Sequence, residues 1–373
     1  MYDFIIFEHT GLKNHMIDLC AIGRMLRDSG YSVAIANVTI EGECCKDSTL
    51  PIIDLQCRQY EIKSKNSYMR AAFKELIPKA HYFYIGSMLS NTWLSWVREV
   101  PSTHIVFIWV LRSFFFTFYK RLKIGRDYPE SVLRSLYNLR VAKKLKNLCF
   151  FVSEPMIKLE LEALGISTHR VLIRPERTCR ELTPLCKRAE SELNLLTIGT
   201  LRPEKRIELC IEAVNKLSDP FIKYLVAGKA YSLHGYDQKI ARLSKESKYV
   251  TRIEERFDDF QYKKLISDCD FLILCDEKQP SCITNGTMAE ALLAGKPIIA
   301  PNNNPYKYYI KKYSVGILYD LNNVESLVAA IKKARNCNYS HFDSGIARYQ
   351  ADFMYDKVVS IFSDSLHSIL KQF

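Results

Sequence analysis

The chain has 373 residues, of which 48% are apolar, 12% aromatic and 25% charged. That composition excludes a disordered, collagenous or coiled-coil chain, and the length suggests two domains. The net charge of +12 is uneven: residues 1–180 carry 26 Lys/Arg against 17 Asp/Glu, net +9, whereas residues 181–373 carry 27 against 24, net +3. The first half is therefore the half suited to an anionic partner.

Twelve cysteines are scattered along the chain, with no C-x-x-C pair and no zinc-ligand spacing. Several sit in apolar runs, where cysteine behaves as a small hydrophobe. They predict reduced thiols and a cytoplasmic protein. No secretory leader is expected, since Asp3 interrupts the apolar opening. The longest apolar stretch, Ile105–Phe118, contains Arg112 and falls short of the roughly 20 residues that span a bilayer.

In chain order, Tyr2–Phe7 reads as a strand, followed by a turn at Thr10-Gly11. Leu12, Met16, Leu19, Gly23 and Leu26 recur at helical spacing up to Gly30, and Tyr31–Ala36 is the next strand. This βαβ opening predicts a parallel α/β sheet. Further strands are expected at Tyr82–Gly86, Ile105–Val110, Leu148–Val152 and Arg170–Ile173, with a helix over Lys158–Leu164.

The stretch 174–192 is polar and contains two prolines, which marks an interdomain boundary. The alternation then restarts. Strands are predicted at Asn194–Ile198, Ile222–Ala227, Val250–Ile253, Phe271–Leu274 and Pro297–Ala300. Helices are predicted at Arg206–Leu217, Tyr236–Ser247, Asp259–Ser267, Thr287–Ala294 and Val324–Ala334, and the tail Tyr349–Leu370 reads as one amphipathic helix. The domains are accordingly set at 1–180 and 181–348, with a closing helix over 349–373 expected to pack back toward the first domain. Two doubly wound α/β domains place a ligand at the carboxyl ends of strands, in the cleft between them.

Two constellations carry chemistry. In the first, an apolar strand runs into Gly199, and a short loop presents Arg202 and Lys205 before a helix. Glycine allows close backbone approach, and the two cations suit a diphosphate. Cations are unfavourable at a helix N-terminus, so an anion is needed to explain them. In the second, Thr284-Asn285-Gly286-Thr287 opens a short apolar helix ended by Gly295. Its free amides and hydroxyls form an anion site, and Glu290, one turn in, can take a sugar diol with its two oxygens. Both constellations follow strands of one sheet and so open on the same edge.

These segments resemble the GT-B glycosyltransferases, especially the retaining glycosyltransferase family 4. IGTLRPEKR is similar to that family's G-x-L-x-x-E-K segment, whose Arg and Lys hold the donor diphosphate. EALLAGKPIIAP is similar to its E-A-[ML]-A-x-G-x-P-V-I-A segment. Phe151-Val152-Ser153-Glu154 and Val171-Leu172-Ile173-Arg174-Pro175 resemble the end of its first domain. The resemblance implies two Rossmann-like domains, a UDP- or GDP-sugar donor, ribose binding by Glu290 and no cofactor.

One departure stands out. The family carries a second glutamate eight positions before the ribose residue, and here position 282 is Cys. The Thr-Asn-Gly-Thr turn is instead similar to the S-G-x turn of inverting GT-B enzymes, which leaves retaining and inverting outcomes both open.

In the first domain, Gly11, Asn14 and His15 lie in the first strand–helix region, where relatives face acceptor and donor sugar. His15 and Asp18, three residues apart on one helix face, are the catalytic candidates. Residues 111–147 hold ten Lys/Arg against two acidic residues, interleaved with Phe114, Phe115, Phe116, Phe118, Tyr119 and Tyr128. That pattern suits an anionic membrane surface, and the nucleotide-sugar reading favours it over nucleic acid.

The expectation is a metal-independent glycosyltransferase, peripheral on the inner face of the plasma membrane, with a growing glycan or a lipid-diphosphate-linked acceptor in bacterial surface glycan synthesis. The alternatives are a GT-B nucleotide-sugar 2-epimerase and a non-catalytic donor- or partner-binding subunit.

Overall fold

The computed structural model describes residues 1–7, 13–37, 49–54, 71, 73–86, 97–110, 139–175, 177–183, 192–230, 235–276 and 285–373. They form two compact units, residues 1–175 with 356–373, and residues 177–276 with 285–355.

The sheet of the first unit contains β1 (Tyr2–Phe7), β2 (Val33–Asn37), β3 (Ile52–Asp54), β4 (Ala80–Ile85), β5 (Ile105–Val110), β6 (Leu148–Val152) and β7 (Val171–Ile173). Their order is β3-β2-β1-β4-β5-β6-β7, and every pairing is parallel. β5 and β6 are buried along their whole length, because a parallel sheet is covered on both faces; this is why they read as unbroken apolar runs. Phe107 stacks on Phe151 at 4.9 Å and lies 5.8 Å from Phe4, so aromatic rings fill the middle of one face.

Helix α1 (Lys13–Asp28) joins β1 to β2, and Gly30 closes it with φ +93°, a backbone conformation that favours glycine. Helix α2 (Pro155–Ala163) follows β6. It starts on Pro155, whose missing N–H is no loss in a first helical turn.

In the second unit the strands are β8 (Leu193–Ile198), β9 (Ile222–Ala227), β10 (Val250–Ile253), β11 (Phe271–Ile273), β12 (Ile298–Pro301) and β13 (Gly316–Tyr319). Their order is β10-β9-β8-β11-β12-β13, again all parallel. The helices are α3 (Ile207–Leu217), α4 (Tyr236–Glu246), α5 (Asp259–Asp268), α6 (Gly286–Leu293), α7 (Tyr306–Tyr313), α8 (Val324–Asn336) and α9 (Asp343–Asp352), and α10 (Tyr355–Leu370) closes the chain. Asp258 and Gln261 make a reciprocal capping box at α5, which satisfies two donors that a helix start otherwise leaves unpaired. Apart from its first residue, α10 belongs to the first unit, where Phe362 meets Phe151 edge-on at 5.4 Å.

The regular strands and helices fall close to their sequence-predicted positions, and the differences have local causes. The tail is two helices rather than one. Between them the backbone turns aside: Cys179 N–H donates to Phe353 O at 3.1 Å, and Tyr355 N–H donates to Cys179 O at 2.7 Å. These bonds to a distant segment replace helical ones. Helix α7 and strands β3 and β13 escaped the sequence reading. The strands are three and four residues long, and α7 is written YKYYIKKY, with its buried Tyr306, Tyr309, Ile310 and Tyr313 hidden among lysines. The expectation of uniformly reduced cysteines is also corrected: Cys20 is disulfide-bonded, while Cys149, Cys179, Cys210, Cys269, Cys275 and Cys337 are free thiols.

Candidate functional site

The order of the second sheet reverses between β8 and β11, and ligands of open α/β sheets bind beyond the strand ends at such a point. Gly199 follows β8 there, and Asp276 lies three residues past the end of β11. Gly199 has φ +103°. The neighbouring strand end comes against it so closely that a Cβ on Gly228 would lie 2.0 Å from the Gly199 carbonyl oxygen. The approach requires glycine at 228, while Gly199 is required by its positive φ.

Beyond Gly199 the chain makes a short 3₁₀ turn over Pro203–Lys205 before α3 begins. This turn sends the basic side chains in different directions. Arg202 stays exposed. Lys205 folds back, and its Nζ donates to Ile198 O at 3.3 Å. Burial pushes the Lys205 amine below the ordinary lysine value; the Asp276 charge works against that shift and the Arg202 charge adds to it. Arg206, the third cation, is not available to an anion, since Nε pairs with Glu208 at 3.3 Å and Nη1 donates to Asn322 at 2.9 Å.

Across the switch point, α6 starts after Asn285. The Asn285 Oδ1 accepts from Met288 N–H at 3.0 Å and so caps the helix. The amides of Gly286 and Thr287 have no acceptor among the described residues, as the first N–H groups of a helix require one from outside. Asn285 is itself held: its Nδ2 donates to Tyr306 Oη at 2.7 Å and to Asp276 Oδ2 at 3.0 Å. The Tyr306 hydroxyl donates to the same Asp276 oxygen. Burial and the Asp276 charge hold the Tyr306 hydroxyl well above its ordinary value, so it remains a donor. One tyrosine thus ties the end of the β11 segment to the start of α6.

Glu290, one turn into α6, is ion-paired: Arg177 Nε donates to its Oε1 at 2.9 Å. The Tyr262 hydroxyl lies beside Glu290 and Thr287, and burial together with the Glu290 charge pushes it up.

The structure therefore brings Gly199, Lys205, Asn285, Gly286, Thr287 and Glu290 to one sheet edge, with Arg202 exposed beside them. Thr284, Cys282 and Gly11 lie outside the described residues. Asn14 and His15 lie within α1, but their side chains are likewise outside the description. Asp18 is only 7% exposed, and its carbonyl accepts from Nη2 of Arg174 at 3.2 Å; it is a buried residue, not one presented on an open helix face.

Sequence reading missed Asp276, Tyr306, Arg177 and Tyr262. Asp276 had a signal, as the first charged residue after an apolar strand. Tyr306 had the tyrosine periodicity of α7. Arg177 and Tyr262 had none, because only folding brings them to Glu290.

Of the basic aromatic segment, 111–138 lies outside the described residues. Its last part is a helix end with Val141 and Ala142 buried and Arg140, Lys143, Lys144 and Lys146 exposed. The Arg170 guanidinium closes that end, donating to Ala142 O and to Leu148 O, both at 2.7 Å. No helix among the described residues is long and apolar enough to cross a membrane.

Two parallel α/β units with an anion-ready edge on the second define a GT-B fold, and solved structures agree. HepE of Anabaena, crystallised in complex with UDP and with UDP-glucose, matches over 100% of both chains with TM-score 0.70 at 13% identity. Sucrose-phosphate synthase from Thermosynechococcus elongatus matches over 100% of both chains with TM-score 0.72 at 16% identity. WaaG, a glycosyltransferase involved in lipopolysaccharide biosynthesis, matches over 98% of both chains with TM-score 0.64 at 13% identity. Residues 187–344 match the family model described as glycosyl transferases group 1. The architecture is that of a GT-B fold, and the second unit carries a segment similar to the group 1 glycosyl transferases. No curated protein sequence matches the chain.

Proposed function

We propose that the protein transfers a sugar from a UDP- or GDP-sugar to a growing glycan or lipid-diphosphate-linked acceptor, as in the assembly of bacterial surface polysaccharide. The observation that carries this reading is that Lys205, just after β8, and the start of α6, just after β11, flank the switch point of the second sheet. Breaking a glycosidic bond to a diphosphate leaves negative charge on the departing oxygen. Groups already aimed at that charge stabilise the transition state without reorganising. Lys205, Arg202 and the amides of Gly286 and Thr287 fill this role, and they take the place a divalent cation has in other transferases.

HepE, found with UDP and UDP-glucose, and WaaG, involved in lipopolysaccharide biosynthesis, support the choice of donor and acceptor classes. In the first unit, His15 is our assigned general base for the acceptor hydroxyl. Asp18, being buried, suits orienting a base better than exchanging protons with solvent.

Incubation with a panel of nucleotide sugars in EDTA tests the reading. Slow donor hydrolysis that survives chelation is expected. Epimerised donor would establish the 2-epimerase instead, and binding without turnover would establish the non-catalytic subunit that Cys282 favours. His15→Ala should abolish transfer and keep UDP binding.

We further assign membrane docking to residues 111–147. Arg140, Lys143, Lys144 and Lys146 are exposed together, and each basic residue near an anionic leaflet contributes about 1 kcal/mol. Flotation with anionic vesicles, and release by high salt, are the expected results. Equal binding to zwitterionic vesicles would overturn the assignment.

A further inference from the structure

Helices shorter than about 12 residues are marginal by themselves, so α6, with eight, takes its position from what holds its ends. Asn285 caps the start. The other end is held by Gln350 of α9, which is only 2% exposed. Its Nε2 donates to Leu293 O at 3.1 Å, with Leu292 O at 3.5 Å, and to Thr183 O at 3.0 Å. The two leucine carbonyls belong to the last turn of α6, where a helix lacks donors of its own. Thr183 belongs to the segment that opens the second unit.

That same segment is clamped to the junction of α9 and α10. Cys179 pairs with Met354 as an isolated parallel bridge. Its thiol lies 3.6 Å from the Gln350 carbonyl oxygen and 3.7 Å from Met354 Sδ, and the Arg180 guanidinium lies 5.0 Å from the Tyr355 ring. Gln350 is therefore common to both arrangements: its side chain grips the end of α6, and its backbone faces the clamp. A shift of α6 along its axis must break the bond to Leu293 or drag the amide away from Thr183.

Resting on the donor site proposed above, we propose that Gln350 is a positioning residue for that site: it fixes α6 lengthwise against residues 177–183, so that an anion held at the start of the helix and the pairing of Cys179 with Met354 stabilise one another. Such coupling is reciprocal, so the factor by which the clamp raises nucleotide affinity is the factor by which nucleotide favours the clamp.

Cys179 reports on the clamp, and Cys337 serves as its control. Both are free, partly buried thiols of the second unit. Cys337 lies at the end of α8, which packs on α3 and β13 rather than on α6. The full-length protein is treated with N-ethylmaleimide with and without saturating UDP, or GDP if that binds more tightly. Labelling at each cysteine is followed by peptide mass spectrometry. Nucleotide should slow labelling of Cys179 by about fivefold or more, as coupled sites typically show, and leave Cys337 unchanged. Gln350→Met keeps the bulk of the side chain and removes its donors. In that variant UDP should bind about fivefold or more weakly, by the same coupling, and should no longer protect Cys179.

Equal slowing at both cysteines, the mark of global stabilisation alone, would overturn the proposal. So would no slowing at Cys179, or a Gln350→Met variant that binds UDP as the parent does. If Gln350→Met fails to fold, as circular dichroism would reveal, the parent's ratio of Cys179 to Cys337 labelling still decides. Failure of the donor reading looks different: neither UDP nor GDP binds the parent, and the proposal falls with it.

Discussion

The two units wind their strands in the same order, from an outer third strand through the first and on to the fourth, yet two sets of charged groups, one beside each sheet, are partnered in opposite ways. In the first unit, Arg174 is 0% exposed, lies 5.1 Å from the Trp109 ring, and has Nε and Nη1 without a hydrogen-bond partner among the described residues. In the second, Lys205, Asp276, Tyr306, Asn285, Arg177 and Glu290 engage one another by charge or hydrogen bond at the edge of the sheet. Topology offers an anion site at each switch point. In the second unit the described side chains form a candidate for one, because there the charged groups at the rim fix each other's geometry; the loops at the first unit's switch point lie outside the described residues.

The largest effect expected is at the backbone that keeps this rim open. Gly228→Ala places a Cβ against the Gly199 carbonyl at φ +133°, which should destabilise the protein by about 3 kcal/mol. The readout is the urea midpoint of unfolding. A midpoint equal to the parent's would mean that the two strand ends do not approach as described, and the contrast between units would lose its structural basis.

Next comes the cation. Lys205→Ala should lower turnover efficiency by roughly 10–150-fold, the value of one hydrogen bond to a charged group. Arg202→Ala should lower it less, since an exposed charge is screened by solvent. Because burial lowers the Lys205 amine, donor affinity should fall as pH rises toward that lowered value, and Lys205→Arg should remove this alkaline limb.

Stability moves the other way. Between the lowered folded value and the ordinary unfolded one, the unfolded chain binds more protons, so the unliganded protein gains stability with rising pH. Calorimetry across that window checks both signs. A parent affinity that is flat with pH would separate Lys205 from the diphosphate.

Tyr306→Phe should cost about 1–3 kcal/mol, since it strips one partner from both Asp276 and Asn285. It should also weaken UDP binding, because Asn285 caps the helix whose amides meet the anion. A variant that loses stability but keeps parent affinity for UDP would confine Tyr306 to a structural role.

The smallest effect is expected in the first unit. Replacing a poorly satisfied buried charge by an apolar side chain is often neutral or stabilising. Arg174→Met should therefore change stability by less than about 1 kcal/mol and leave UDP affinity unchanged. A large loss of UDP binding would break the contrast between the units.

Sequence alone determined the elements whose signal is local. β5 and β6 are unbroken apolar runs because a parallel sheet buries both faces, and α1 stops at Gly30 because glycine accepts its positive φ. The candidate diphosphate loop was open to reading for the same reason, since Gly199, Arg202, Lys205 and Asn285–Thr287 are contiguous stretches whose proposed chemistry can be argued residue by residue. Tertiary structure decided what those residues do to one another. Lys205 turns back toward its own strand while Arg206 is taken by Glu208, although they are neighbours in sequence. Glu290 is held by Arg177, 113 positions away, and Asn285 by Tyr306, 21 positions away. The tail helix breaks at Phe353 and Met354 because its backbone bonds to Cys179. Helical and strand periodicity reports only which face of one element is apolar. Which charges meet depends on how elements distant in sequence pack, and no spacing along the chain encodes that.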